Sequence, residues 1–220
     1  MIINKVYHLA DLHIRNLQRH KEYRQVFKKF LKQVKEDKLE DSMIYLAGDI
    51  AHAKTEMSPE LVKEISWFLT ECAKLRETVL ITGNHDCNLN NSHRLDVLTP
   101  IIDNLKNPRI HYLRDTGVYN IHNLTFVVYS IMDNKENWPK GKDVEGENTI
   151  ALFHGPVNKA QTDIGYTVSS NSFKVDMFDG FDMAMLGDIH KRQTFGEGYE
   201  WVAYAGSMIQ QNHGELLENH

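Results

Sequence analysis

The sequence predicts a single α/β domain of two stacked mixed β-sheets flanked by helices. Three observations carry the prediction. Short apolar runs alternate with amphipathic segments through the first half. Strand-like runs dominate the second half. Five histidine-containing motifs each sit just past the end of an apolar run. Alternating strand and helix signals mark parallel βαβ units, and each sheet face must be covered by another layer.

The elements follow in order. Residues 2–9, closing on Tyr7-His8-Leu9, read as the first strand. Residues 20–37 read as a helix, because Tyr23, Val26, Phe27, Phe30, Leu31 and Val34 make a one-faced stripe. Residues 43–47 are the second strand. Ser58 and Pro59 open the next helix as N-cap and first-turn proline. Leu61, Val62, Ile65, Phe68, Leu69 and Cys72 form its stripe. Residues 78–82 are the third strand, and 92–105 a third helix bent at Pro100. Segments 109–113, 118–121 and 124–131 read as a meander with Asn123 in a turn. Strands at 149–153, 183–186 and 201–205 complete the set. Residues 132–148 form a charged loop, on which Trp138 reads as an exposed aromatic able to stack on a base.

Composition excludes several classes. The 220 residues are 41% hydrophobic and 25% charged, the balance of an ordinary globular domain. No apolar stretch approaches the ~20 residues that span a bilayer, so no membrane is expected. The N-terminus lacks the layout of a signal peptide, which predicts a cytoplasmic protein, or one in the nucleoid or nucleus. Cys72 and Cys87 are expected as free thiols. A metal role for Cys87 fits poorly, one sulfur among oxygen and imidazole donors. A net charge of −5 argues against a generally basic DNA-coating protein. It leaves room for a nucleic-acid enzyme, since two bound dications would add about four positive charges where phosphate must sit.

The motifs carry the chemistry. They read Asp11-Leu12-His13, Gly48-Asp49-Ile50-Ala51-His52, Gly83-Asn84-His85-Asp86, His154-Gly155 and Gly187-Asp188-Ile189-His190. Carboxylate, carboxamide and neutral imidazole are the donors that divalent cations accept in mixed oxygen and nitrogen sites. A single histidine at a strand end is usually a hydrogen-bonded surface or core residue; five in convergent positions describe strand ends meeting at metal. His8 lies inside a strand, and packing or support is its expected role. His20, His93, His111, His122, His213 and His220 match no motif and are expected at the surface.

The order of these segments resembles the calcineurin-like metallophosphoesterases, whose pattern runs D-x-H, G-D-x-x-H, G-N-H-[DE], a lone H, then G-H-x-H. Around the motifs the chain is similar to DNA double-strand-break repair nucleases of the SbcD type. The similar stretches are the opening His8-Leu9-Ala10-Asp11-Leu12-His13 and the later Ala205-Gly206-Ser207 followed by Gly214-Glu215. The resemblance implies a first metal on Asp11, His13, Asp49 and His190, and a second on Asp49, Asn84, His154 and Asp188. The ions would be Mn²⁺, with Mg²⁺ as the other choice. A bridging Asp49 can hold two ions about 3.5–4 Å apart, the separation of a two-metal clamp on an in-line displacement. His85 is the expected general acid, with Asp86 to orient and charge it. His52 is expected to contact the scissile phosphate. Lys191 and Arg192 are either flanking-phosphate ligands or solvated charge. One departure matters: the family has His where this chain has Asp188, which either ligates directly or reaches its metal through water.

The implied activity is hydrolysis of DNA phosphodiester bonds by attack of a metal-bridging hydroxide, in repair or recombination. The implied partners are DNA, an SbcC-type ATPase subunit, and a second copy paired through the second and third helices, where Trp67 edges an apolar stripe. The chain ends 13 residues after Ser207, which reads as a phosphoesterase domain over 1–220 without a capping domain. Two alternatives stay open: a phosphodiesterase or phosphatase acting on nucleotides or phosphoproteins, and a weakly catalytic binding scaffold.

Overall fold

Alternation within single strands sets the layers. In β2 (Ser42–Leu46) Ile44 and Leu46 join one apolar cluster, while Met43 and Tyr45 join another. That is the period of two of a strand buried on both faces. The computed structural model describes residues 1–91, 93–169 and 173–216.

The first sheet contains β1 (Lys5–Leu9), β2, β3 (Glu77–Leu80) and β4 (Ile110–Tyr112), all parallel and in that spatial order. Three helices, α1 (His20–Glu36), α2 (Pro59–Leu75) and α3 (Thr99–Leu105), cover its outer face. Phe27 and Phe68 stack there with ring centroids 4.0 Å apart, above Ile44, Leu46 and Leu80. The N-cap expected at Ser58 is made, since its hydroxyl accepts from Leu61 N at 3.2 Å.

The second sheet contains β5 (Gly117–Ile121), β6 (Leu124–Tyr129), β7 (Thr149–His154), β8 (Met183–Gly187), β9 (Gln193–Thr194) and β10 (Val202–Tyr204). Its order is β5-β6-β7-β8-β10-β9, parallel from β6 to β10 with antiparallel edges. Phe126, Val128, Ile150 and Leu152 meet Met43, Tyr45 and Val79 between the sheets. On the outer face, Val127, Tyr129, Phe153 and Tyr204 are covered by Trp138, Phe173, Phe178 and Phe181 from irregular segments, not by long helices.

Four expectations are corrected. The first sheet is purely parallel, so only the second is mixed. Segment 109–113 is not part of a meander: β4 pairs with β3, and the chain crosses to the second sheet before β5. A short gap between two strand signals serves a sheet-to-sheet crossing as well as a hairpin. The third helix starts at Thr99, with Pro100 in its first turn, where a proline opens a helix and does not interrupt it; Asp96 accepts from Leu98 N and Thr99 N at that start. Ser92, expected to start that helix, lies outside the described residues. Trp138 is half-buried, stacked on Tyr129 at 4.9 Å, with Nε1 donating to Ser130 O. The loop is charged, but its tryptophan completes the outer core.

Trp67 is also less available than its sequence position suggests. Arg24 lies 4.2 Å over its ring while pairing with Glu64. Among the described residues no helix is long and apolar enough to cross a membrane.

This topology positions the motifs. β1, β2, β3, β7 and β8 end at Leu9, Leu46, Leu80, His154 and Gly187, and the motif residues lie at or just after those carboxyl ends, where α/β sheets bind ligands. Short bridges, Ala10 with Ser207 and Ile14 with Ala51, hold the loops together beyond the strands.

Candidate metal centre

The loops after the strands are bent sharply. Asp11, His13, Asp49 and Asp188 have φ of 53°, 44°, 52° and 95°. This left-handed region costs a non-glycine residue about 1–3 kcal/mol and persists only where the surroundings hold it. Here the loops hold one another. Asp11 N donates to Gly48 O at 3.2 Å, His13 N to Asp49 O at 2.9 Å, and Asp188 N to both oxygens of Asp11 at 3.1 Å. Two motif glycines are required by close approach. A Cβ on Gly83 would strike Asp49, and one on Gly187 would strike Ala47 O and lie 2.7 Å from His154 Nδ1.

All seven expected ligands converge. Asp49 stands between the two sets: its Oδ2 is 3.4 Å from His13 Nε2, and its Oδ1 is 3.3 Å from His154 Nε2. On one side His13 Nε2 lies 3.1 Å from His190 Nε2 and 4.0 Å from Asp11 Oδ1. On the other, His154 Nε2 lies 3.0 Å from Asn84 Oδ1 and 3.8 Å from Asp188 Oδ1. Donor atoms of Asp11, His13 and His190 fall within 4.8 Å of one another, as do those of Asp11, Asp49 and His154. Asp11 therefore reaches both groups, where the sequence pattern gave that role to Asp49 alone.

These residues lie within a region, 4–192, that matches the calcineurin-like phosphoesterase family. The chain belongs to that family. The phosphoesterase is also similar to the uncharacterized protein R555 of Acanthamoeba polyphaga mimivirus, 44% identical over 229 residues. That alignment takes in 99% of this chain and 17% of the viral protein, so the chain spans about a sixth of that relative's length. Among solved structures, the protein TT1561 of Thermus thermophilus superposes with a TM-score of 0.52 at 9% identity, over 92% of this chain and 89% of that one. That likeness concerns the fold.

The donor set of the phosphoesterase fits the divalent ions its family uses. Three carboxylates, one carboxamide and three imidazoles are a mixed hard and borderline set. Burial pushes Asp11 up to about 7 and also raises Asp188. Burial would raise Asp49 too, but the neighbouring His154 outweighs it and holds that carboxyl well below the usual range. Burial pushes His13 down to about 3, whereas at His154 the Asp49 charge overcomes burial and raises the ring well above its ordinary value. Carboxylates crowded and buried in this way call for cations beside them. Among the described residues His13 Nδ1 and His52 Nδ1 are buried without a hydrogen-bond partner.

Two rings, and the backbone of His13, are held by neighbours that the motifs do not contain. His154 Nδ1 donates to Ala47 O at 2.6 Å, which leaves Nε2 as the donor nitrogen. His190 Nδ1 pairs with buried Glu215 at 2.7 Å. Tyr23 OH donates to His13 O at 2.6 Å. Only Glu215 had any signal in the sequence, as part of the stretch similar to the repair nucleases. The backbone carbonyl leaves none.

His85 sits beside the shared carboxylate: its N–H donates to Asp49 Oδ1 at 2.8 Å, and its Nδ1 bonds His52 O at 2.7 Å. The expected pairing with Asp86 is not made. Asp86 is fully buried and accepts from Ile50 N, Ala51 N and Gly83 N, clamping two ligand loops together. The rings of His13, His52 and His85 cluster, with 4.7 Å between the centroids of His13 and His85. Burial, then the charge of Arg15, lowers His52, so a cation that the motifs omit stands close to this corner.

Lys191 donates to Gln161 at 3.4 Å, and exposed Arg192 lines a separate cavity of about 800 Å³ with Tyr7 and His8. His8 stacks on Tyr45 at 5.3 Å, and burial pushes it down to about 4, consistent with packing. His93, His122 and His213 are exposed, whereas His111 and His20 are half-buried; His111 and His122 both reach Glu77, and His20 bonds Arg15 O. His220 lies outside the described residues. Both cysteines are free and buried; Cys87 Sγ donates to Gly83 O, and burial pushes its thiol up to about 12, away from metal-binding thiolate.

Proposed function

We propose that this phosphoesterase is a two-metal DNA nuclease that hydrolyses phosphodiester bonds with Mn²⁺ or Mg²⁺. The observation that carries the reading is Asp49, one oxygen toward His13 and the other toward His154, between two donor sets that Asp11 also reaches. Asp11, His13, Asp49 and His190 would hold the first ion; Asp49, Asn84, His154 and Asp188 the second. When bound, the pair supplies a nucleophilic water and offsets the charge that builds on the phosphate.

The chain's own groups do the rest. A carbonyl can only accept, so His85 Nδ1 carries a proton toward His52 O. To act as the acid the ring must carry a second proton on Nε2, which passes to the leaving oxygen and leaves the neutral Nδ1–H form. His52, its ring 5.5 Å from that of His85, donates to the phosphate as charge develops. DNA as substrate, repair or recombination as context, and an SbcC-type ATPase as partner are supported by the resemblance to SbcD-type nucleases. Part of the stretch that carries this resemblance is Glu215, which here holds a candidate ligand.

The test compares plasmid and hairpin DNA with bis-p-nitrophenyl phosphate and p-nitrophenyl phosphate in Mn²⁺. DNA and the diester should be cut, the monoester more slowly, and a chelator should stop all three. Hydrolysis of the monoester alone would replace this reading with a phosphatase. Two bound metals with no hydrolysis of any substrate would leave a scaffold.

A further inference from the structure

A cavity of about 650 Å³ opens beside the second donor set. Three candidate ligands, Asn84, His154 and Asp188, form part of its wall. The rest of that wall is largely apolar, with Leu89, Trp138, Phe153 and Phe173. The volume lies within the ~300–1,000 Å³ of small-molecule sites, which join an apolar lining to a few polar groups.

We propose that this cavity is a nucleobase pocket, holding the base attached to the phosphate under hydrolysis after it has left the helical stack. The inference rests on the nuclease reading for the identity of that phosphate. Continuity with the candidate ligands argues for the occupant: Asn84, His154 and Asp188 line the cavity, so a base within it would lie within one nucleotide's reach of a phosphate held on them. Chemistry argues for an aromatic ring. Trp138 is stacked with Tyr129 at 4.9 Å and with Phe173 at 5.8 Å, and meets Phe153 edge-on at 5.4 Å. The three lining rings brace one another, and Tyr129, outside the lining, backs Trp138, so the wall loses little freedom when a flat ring lies against it.

The same features set the selectivity. Trp138 Nε1 is already committed to Ser130 O, and Asp133 Oδ2 accepts from Thr116 N. Asn134 and Lys135 also line the wall; both are exposed, and Asn134 Oδ1 accepts from Glu136 N. Contact with the rings therefore dominates, and the pocket should take all four bases, as aromatic stacking platforms do. A base inside a duplex cannot enter without unpairing, so single strands and frayed ends should be preferred.

The test is equilibrium binding to the Mn²⁺-loaded protein, by calorimetry, of deoxyadenosine 5′-monophosphate and of deoxyribose 5-phosphate. The base should tighten binding by about 5- to 150-fold, the usual range for stacking one base. Phe173→Ala and Leu89→Ala should each remove most of that advantage and leave deoxyribose 5-phosphate binding unchanged. Phe173→Leu keeps an apolar side chain without the ring, so it should lower the ratio even if the alanine variant folds poorly. Equal binding of the two ligands by the wild type, or an undiminished ratio in Phe173→Leu and Leu89→Ala, overturns the pocket. The two readings fail separately. DNA cleavage with no advantage from the base removes the pocket and keeps the nuclease. A base advantage without DNA cleavage keeps the pocket and turns the enzyme toward free nucleotides.

Discussion

The two donor sets differ in what holds them. His154 belongs to β7, its side chain is 1% exposed, and its Nδ1 is tied to Ala47 just past the end of β2. The packing of two sheets orients it with no dedicated side chain. His190 lies in a loop, its side chain is 26% exposed, and its ring is held by Glu215, twenty-five residues further along. His13 likewise lies in a left-handed turn and leans on Tyr23 from α1. Support by sheet packing is spread over many residues, whereas support by one carboxylate can be removed by one substitution. The first set should therefore be the easier to weaken from outside.

The strongest test removes what the sets share. Asp49→Ala should abolish turnover and leave less than one Mn²⁺ bound per chain by calorimetry. Near-normal activity in that variant would end the two-metal reading.

His85 belongs to neither set, so its loss should separate chemistry from metal retention. His85→Ala should bind two ions while turnover on DNA falls about 10²–10⁴-fold, the usual value of a positioned acid. The fall should be smaller on bis-p-nitrophenyl phosphate, whose leaving group needs little protonation. Equal falls on both substrates would count against the role.

Glu215→Ala addresses the comparison directly. Loss of a carboxylate that orients a ligating histidine lowers metal affinity about 10- to 100-fold. Here the weaker of two Mn²⁺ affinities should become that of the first set, with the second unchanged. If both fall together, the sets are not independently supported.

Asp188 should give the smallest effect. It is a rim carboxylate, 3.8 Å from His154 Nε2, with its backbone tied to Asp11. Asp188→Ala should weaken the second ion more than the first. Asp188→His should shift preference toward softer ions such as Zn²⁺ without loss of hydrolysis. Unchanged affinities in Asp188→Ala would mean that Asp188 is not a ligand.

Much of the fold was legible because periodicity reports burial directly. The apolar runs of β2, β3 and β7 name buried residues, and the stripes of α1 and α2 name residues that are buried or, at Val26, Phe30, Leu31 and Val62, half-buried against the same core. Which sheet a strand joins was not legible. Residues 109–113 and 118–121 carry the same local signal, yet β4 closes the first sheet and β5 edges the second. Trp138 shows the same limit: its charged neighbours say loop, and only the uncovered face of the second sheet explains why it turns inward.

At the site, the sequence by itself determined the candidate donors. Asp11, His13, Asp49, Asn84, His154, Asp188 and His190 are recognisable by type and by their place after apolar runs, because metal coordination demands particular atoms. Tertiary structure decided how those atoms are aimed. The left-handed turns at Asp11, His13 and Asp49, the carbonyls of Ala47 and His52, the reach of Glu215, and the use of Asp86 as a loop clamp all join residues distant in the chain. Backbone carbonyls are present at every residue, so a sequence cannot mark which one will meet a ring. That depends on two sheets bringing their strand ends to one edge.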